Sequence, residues 1–158
     1  MPGDLISVLR ERVVILDGAM GTMLQERGMQ PGQCPELFGI ENPSILQEIH
    51  DLYIEAGADI IQTNTFGGNA FKLAEYGLAE KVDEINAETV RIAREASRGR
   101  AWVAASIGPT GKLLSPMGDC SFDDLYTAFA AQIKACEKAG ADLISIETMT
   151  DIGEMRAA

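Results

Sequence analysis

A chain of 158 residues with a net charge of −11 lacks the clustered Lys and Arg that a nucleic-acid or anionic-membrane surface needs. Its 46% hydrophobic content, with 16 Gly and 6 Pro, is that of a globular chain able to bury one core, and predicts a single domain over 1–158. The opening residues lack the pattern of a signal peptide, no apolar run approaches the roughly 20 residues that span a bilayer, and three widely spaced cysteines (Cys34, Cys120, Cys136) suit reduced thiols in a cytoplasmic protein.

The first element is the unbroken aliphatic run Val13-Val14-Ile15-Leu16, which reads as a strand over 13–17 buried on both faces and ending in Asp17. Gly18 and Gly21 permit a tight turn, and Thr22 to Arg27 are good helix formers. A Gly- and Pro-rich loop over 28–39 precedes Asn42-Pro43, where Asn42 is a candidate N-cap and Pro43 suits the first helical position. The helix over 43–56 should turn Ile45, Ile49, Leu52 and Tyr53 inward and stop at Gly57. A second strand follows over 58–64. Helix then begins at Asn69, breaks near Gly77 and resumes over 79–97, with Ile85, Thr89, Ile92 and Ala96 as its apolar stripe. The third strand is 101–107. Ser121, with Asp123 and Asp124 in the first turn, starts a helix to Ala139 that carries Leu125, Phe129, Ile133 and Cys136 inward. Gly140 ends it, 141–147 is the fourth strand, and another helix begins at Asp151.

Strands alternating with helices predict parallel βαβ units. The chain also repeats itself. "EAGADIIQTNTF" (55–66) matches "KAGADLISIETM" (138–149) at Ala-Gly-Ala-Asp, at the next two aliphatic residues and at a Thr, which sets Asn64 on Glu147 and Thr65 on Thr148. The two copies stand two βα units apart, as expected where alternate strands send equivalent side chains toward one centre, the layered interior of a (β/α)8 barrel. An open doubly wound sheet would share the alternation, but its usual Gly-x-Gly-x-x-Gly is missing. In a barrel Asp17, Asn64, Ser106 and Glu147 fall at the C-terminal ends of four successive strands, the face on which barrels build active sites. Acidic side chains beside free backbone N–H groups suit an amino acid: the acids for its ammonium, the N–H groups for its carboxylate.

The segments "ILDGAMGTMLQ", "ADIIQTNTFGGN", "SIGPTGK" and "ISIETMTDIGEMRAA", in order over nearly the whole chain, are similar to the homocysteine S-methyltransferase family. They most resemble the homocysteine-binding barrel of its cobalamin-dependent, methionine-forming members. The resemblance implies a (β/α)8 barrel of which this chain supplies about the first four βα units, a half-barrel. It also implies a zinc ion held by three cysteines, and methyl transfer to the homocysteine sulfur from methylcobalamin or another donor on a partner domain. By the same resemblance Asp17, Gly18 and Ala19 contact the amino acid end of homocysteine, Glu147 its ammonium, and Asn64, Thr65 and Ser106 line the pocket. Partners so implied are homocysteine, the remaining half-barrel, corrinoid and folate domains, or a second copy of the chain.

The family's zinc cysteines lie one after the sixth strand and two at the eighth, whereas this chain stops just after its fourth predicted strand. At about 40 residues per βα unit a closed barrel takes on the order of twice this length. Zinc matters because a free thiol, with a pKa near ~8.5, is mostly protonated at neutral pH, and coordination makes it a thiolate. The chain alone is therefore expected to keep part of a substrate pocket, to hold no stoichiometric zinc and not to methylate homocysteine. The other reading is a non-catalytic half-barrel that binds an amino acid or self-assembles through exposed strand edges. Local cysteines are poor substitutes as ligands: Cys136 lies on an apolar stripe, and Cys34 and Cys120 belong to no Cys-x-x-Cys spacing. His50 is expected at the surface of its helix. Glu80, Asp83, Glu84 and Glu88 read as a solvated face, and Met20, Met23 and Met29 as packing residues.

Overall fold

The computed structural model describes residues 3–158. Its elements are α1 (Leu5–Glu11), α2 (Gly21–Glu26), α3 (Pro35–Glu41), α4 (Pro43–Glu55), β1 (Ile60–Gln62), α5 (Ala70–Ala74), a 3₁₀ turn (Ala79–Lys81), α6 (Val82–Ser97), β2 (Trp102–Ile107), α7 (Phe122–Lys138), β3 (Leu143–Ile146) and α8 (Ile152–Ala157). The sheet order is β1-β2-β3 and both pairings are parallel, with Ile60 opposite Trp102 and Ala104 opposite Leu143. This is the parallel α/β layer expected from the alternation.

The expected first strand is reduced to a single parallel bridge between Leu16 and Ile60. Residues 15–17 do run beside β1, since Asp59 N–H and Ile60 N–H donate to Ile15 O and Asp17 N–H donates to Ile60 O. The segment is not buried on both faces: Val13 is 78% exposed, and Ile15 and Leu16 are about half exposed. Among the described residues β1 is its sole partner, so half of its hydrogen-bonding edge is open. Two helices were missed: α1, and α3 inside the expected 28–39 loop. Asn42 also departs from expectation, since its side chain donates to Phe38 O at the end of α3 and caps nothing in α4. Ser121 does form a capping box with Asp124, and Asp151 caps α8.

The Ala-Gly-Ala-Asp repeat has a structural reason. Asp59 accepts the N–H of Ile15 at 2.9 Å and pairs with Arg12; Asp142 accepts the N–H of Val103 at 2.8 Å and pairs with Arg94. Each Asp thus satisfies a backbone donor at the start of the preceding strand and ties it to an arginine.

Side chains alternate across the sheet. Ile61, Val103, Ala105 and Ile107 face the helices; Ile61 and Val103 pack on Ala93, and Ala105 and Ile107 on Leu125, Phe129 and Cys136. On the opposite face Ile60, Trp102 and Ala104 form an apolar floor with Leu143, against which Leu5 and Val8 of α1 pack. One step up the strands the same face turns polar at Gln62, Ser106, Ser145 and Glu147. That change from apolar to polar along one face places the site.

α4 packs on α6 through Leu46 and Ile49, which are fully buried, whereas Leu52 is exposed. The stripe is thus rotated from the one expected and brings His50 inside. His50 is fully buried, neither ring nitrogen has a partner, and burial pushes its pKa down to about 4, the charge of Asp51 opposing. An unfolded histidine titrates near ~6.5, so the unfolded chain binds more protons between about pH 4 and 6.5, and this group makes the protein less stable as pH falls through that window. His50→Leu, close in volume and without a buried polar ring, should be more stable than wild type in urea unfolding, with the gain widening by up to about 3 kcal/mol from pH 7 to pH 4. A pH-independent difference between the two proteins would contradict this assignment.

Candidate functional site

Above the polar part of the sheet lies a cavity of about 710 Å³ lined by Asp17 to Thr22, Pro35, Glu36, Gln62 to Asn64, Phe66, Gly67, Lys72, Glu75, Tyr76, Ser106 and Glu147. Every expected site residue except Thr65 is on its wall. Thr65 is fully buried behind it, donating to Ser106 O at 2.8 Å and sharing a hydrogen bond with Thr63. It ties the ends of β1 and β2 together, and Thr63 takes the place on the wall.

The turn after Leu16 is clamped by α4. Tyr53 donates from its hydroxyl to Ala19 O at 2.9 Å, and its ring lies where a Cβ on Gly18 would come within 3.1 Å of the hydroxyl oxygen. A side chain at position 18 would have to move that ring. α2 begins at Gly21 with no side-chain cap, so its first N–H groups stay available at the wall. Asn64, nearly buried, donates to Pro35 O at 2.7 Å, and Gly39 beside it leaves no room for a Cβ, which would lie 2.7 Å from Asn64 Nδ2. Asn64 therefore docks α3 onto the strand end.

The acids differ in their surroundings. Glu147 Oε1 accepts from Ser106 Oγ and from Gln62 Nε2, both at 2.7 Å. Asp17 Oδ2 accepts the backbone N–H of Gln62 at 2.8 Å, while Oδ1 is buried without a partner. Burial pushes the Asp17 pKa up to about 7, the Gln62 N–H opposing and the charge of Glu147 adding to it. Asp17 and Glu147 thus line one cavity, and the Lys72 ammonium on the same wall is paired with Glu75. Glu36, also buried, accepts the N–H of Gly67 at 2.7 Å and the Cys34 thiol at 3.2 Å. Sequence reasoning missed both Gln62 and Glu36. The repeat pairs Gln62 with Ser145, and the structure joins these two at 3.2 Å, a signal the alignment of the two copies already carried.

The family model described as homocysteine S-methyltransferase matches residues 14–158. The chain belongs to the homocysteine S-methyltransferase family. Methionine synthases of Mycobacterium leprae and Mycobacterium tuberculosis are 33% and 34% identical over 98% of this chain, which spans 14% of their length. The metallated form of the Escherichia coli homocysteine methyltransferase MmuM aligns with TM-score 0.82 and 28% identity over 97% of this chain and 60% of the neighbour; its apo form aligns with TM-score 0.74. The fold of this chain accordingly matches part of the TIM barrel of that homocysteine methyltransferase.

The zinc that the family implies does not fit the thiols of this chain. Cys34 packs with Leu73, Val82 and Ile85, whereas Cys120 and Cys136 lie in the core around Phe129. Burial raises all three thiols, Cys34 to about 11 and Cys136 to about 12, the reverse of what a thiolate ligand needs. Among the described residues no three His, Cys, Asp or Glu side chains are grouped to hold a metal. Met20, Met23 and Met29 are packing residues as expected, Met29 buried and Met20 and Met23 partly so against Leu24 and Phe38, although Met20 also touches the cavity.

Proposed function

We propose that residues 1–158 are the N-terminal, homocysteine-binding part of a (β/α)8 barrel in a methyltransferase that forms methionine. The observation that carries this reading is the pair Asp17 and Glu147, which line one cavity of a chain of this family, each with one oxygen held by Gln62, Asp17 Oδ1 buried without a partner and Glu147 Oε2 holding only a 3.5 Å contact from Thr148. The ammonium of homocysteine sits between the two carboxylates, and its carboxylate lies toward the free N–H groups of the Gly18–Gly21 turn. Asn64, Ser106 and Thr63 border the bound amino acid, and Thr65 supports them from behind. No step through zinc is assigned to this chain. In this reading the zinc cysteines, the methylcobalamin or other methyl donor, and the corrinoid and folate domains belong to the longer proteins that such barrels occur in. No helix among the described residues is long and apolar enough to cross a membrane. The three free cysteines support a reducing, cytoplasmic setting.

Calorimetric titration of the purified protein with L-homocysteine tests the reading. Saturable binding of one homocysteine per chain is expected; absence of binding at millimolar ligand would overturn it.

A further inference from the structure

We propose that Gln62 is a positioning residue that sets the preference of this site for an ammonium-bearing ligand, an inference that deepens the homocysteine reading and rests on it. Gln62 touches both acids with different parts of itself. Its backbone N–H donates to Asp17 Oδ2 at 2.8 Å, and its side-chain amide donates to Glu147 Oε1 at 2.7 Å and to Ser145 Oγ at 3.2 Å. The side chain thereby reaches from β1 across β2 to the end of β3. Together with Ser106 it fills Glu147 Oε1, while Oε2 keeps only a 3.5 Å contact from the Thr148 hydroxyl. On Asp17 it occupies one oxygen and leaves the buried Oδ1 with no partner. One residue thus engages one oxygen of each carboxylate and leaves the other free, which suits a group with several N–H donors.

The charge of the donor matters as much as its reach. A Lys or Arg at position 62 would hold Glu147 equally well but would neutralise the charge meant for the ligand. The amide orients Glu147 and leaves its charge in place. An apolar side chain would leave Glu147 held by Ser106 alone, free to turn away from the cavity.

The test compares two ligands in calorimetric titrations of the purified protein: homocysteine and 4-mercaptobutyrate, the same thiol acid without its amino group. Wild type should favour homocysteine. In Gln62→Met, similar in size but without a donor, that preference should fall roughly tenfold, with 4-mercaptobutyrate affinity within about twofold of wild type. Gln62→Asn, polar but one methylene too short to reach Glu147, should behave the same way and serves if the Met variant folds poorly. Equal weakening of both ligands, or an unchanged preference, in a variant that keeps the wild-type melting temperature would overturn the role of Gln62 and leave the homocysteine reading standing. A wild-type protein that binds both ligands equally would overturn the ammonium site itself, and Gln62's role with it.

Discussion

Glu147→Gln should weaken homocysteine binding by roughly tenfold to a hundredfold while leaving the fold intact. The two side chains are nearly isosteric, and the amide oxygen can still accept from Ser106 and Gln62, which hold Oε1 in the native site. What disappears is the charge that a ligand ammonium meets at the other oxygen. A charge-assisted hydrogen bond contributes about 1.5–3 kcal/mol, which is that range in affinity. Asn64→Ala should cost less in binding, because Asn64 is neutral and its amide is spent on Pro35 O. Calorimetric titration of wild type and both variants checks this. Unchanged affinity in Glu147→Gln would refute its role, and a large drop in melting temperature would show instead that its bonds hold the strand ends together.

Asp17→Asn should act on stability and on binding in opposite directions. With its pKa raised from 3.8 to about 7 in the fold, Asp17 keeps a proton there that the unfolded chain releases near pH 4. The folded chain therefore binds more protons between about pH 4 and 7, so this group costs stability as pH rises through that window and gives its full penalty above it. Asn, uncharged throughout and still able to accept the Gln62 N–H, removes the penalty. The variant should melt higher than wild type at pH 8, with the difference closing toward pH 4. Homocysteine affinity should move the other way. Wild type should bind more tightly as pH rises toward 7 and Asp17 ionises, whereas Asp17→Asn should bind weakly with no such rise. His50 titrates over an overlapping window with the opposite sign, so the wild-type stability curve alone conceals both groups. Differences between wild type and each variant separate them. A variant no more stable than wild type at pH 8 would mean that Asp17 is not held protonated by burial.

Much of this site was legible in the sequence because it rests on aliphatic runs that end in polar residues and on an internal repeat. The strand-end positions of Asp17, Asn64, Ser106 and Glu147 follow from where aliphatic runs stop, and the cavity contains all four. The helices over 82–97 and 122–138 were legible from helical periodicity, since Ile85, Ile92, Leu125 and Phe129 recur at helical spacing and are buried. Elements whose form depends on partners distant in sequence were not. Residues 13–17 carry a strand's composition, yet with one neighbour among the described residues they form a single bridge. α3 hid in a Gly- and Pro-rich stretch because Pro35 sits in its first turn, where a missing N–H costs nothing, and because two donors outside it, the Asn64 amide on Pro35 O and the Gly67 N–H on Glu36, fix it in place. His50 looked like a surface residue because periodicity alone leaves a helix stripe uncertain by one position, and α6 selected the Leu46, Ile49 and His50 face. Gln62 was passed over as an ordinary strand polar residue. Its importance depends on β1 and β3 lying on either side of β2.

The most direct test is a crystal structure of the protein with L-homocysteine bound. The ammonium nitrogen is expected within about 3 Å of a carboxylate oxygen of both Glu147 and Asp17, with the ligand carboxylate toward the Gly18–Gly21 turn. Homocysteine seated with its amino group away from both acids, or outside this cavity, would contradict the account.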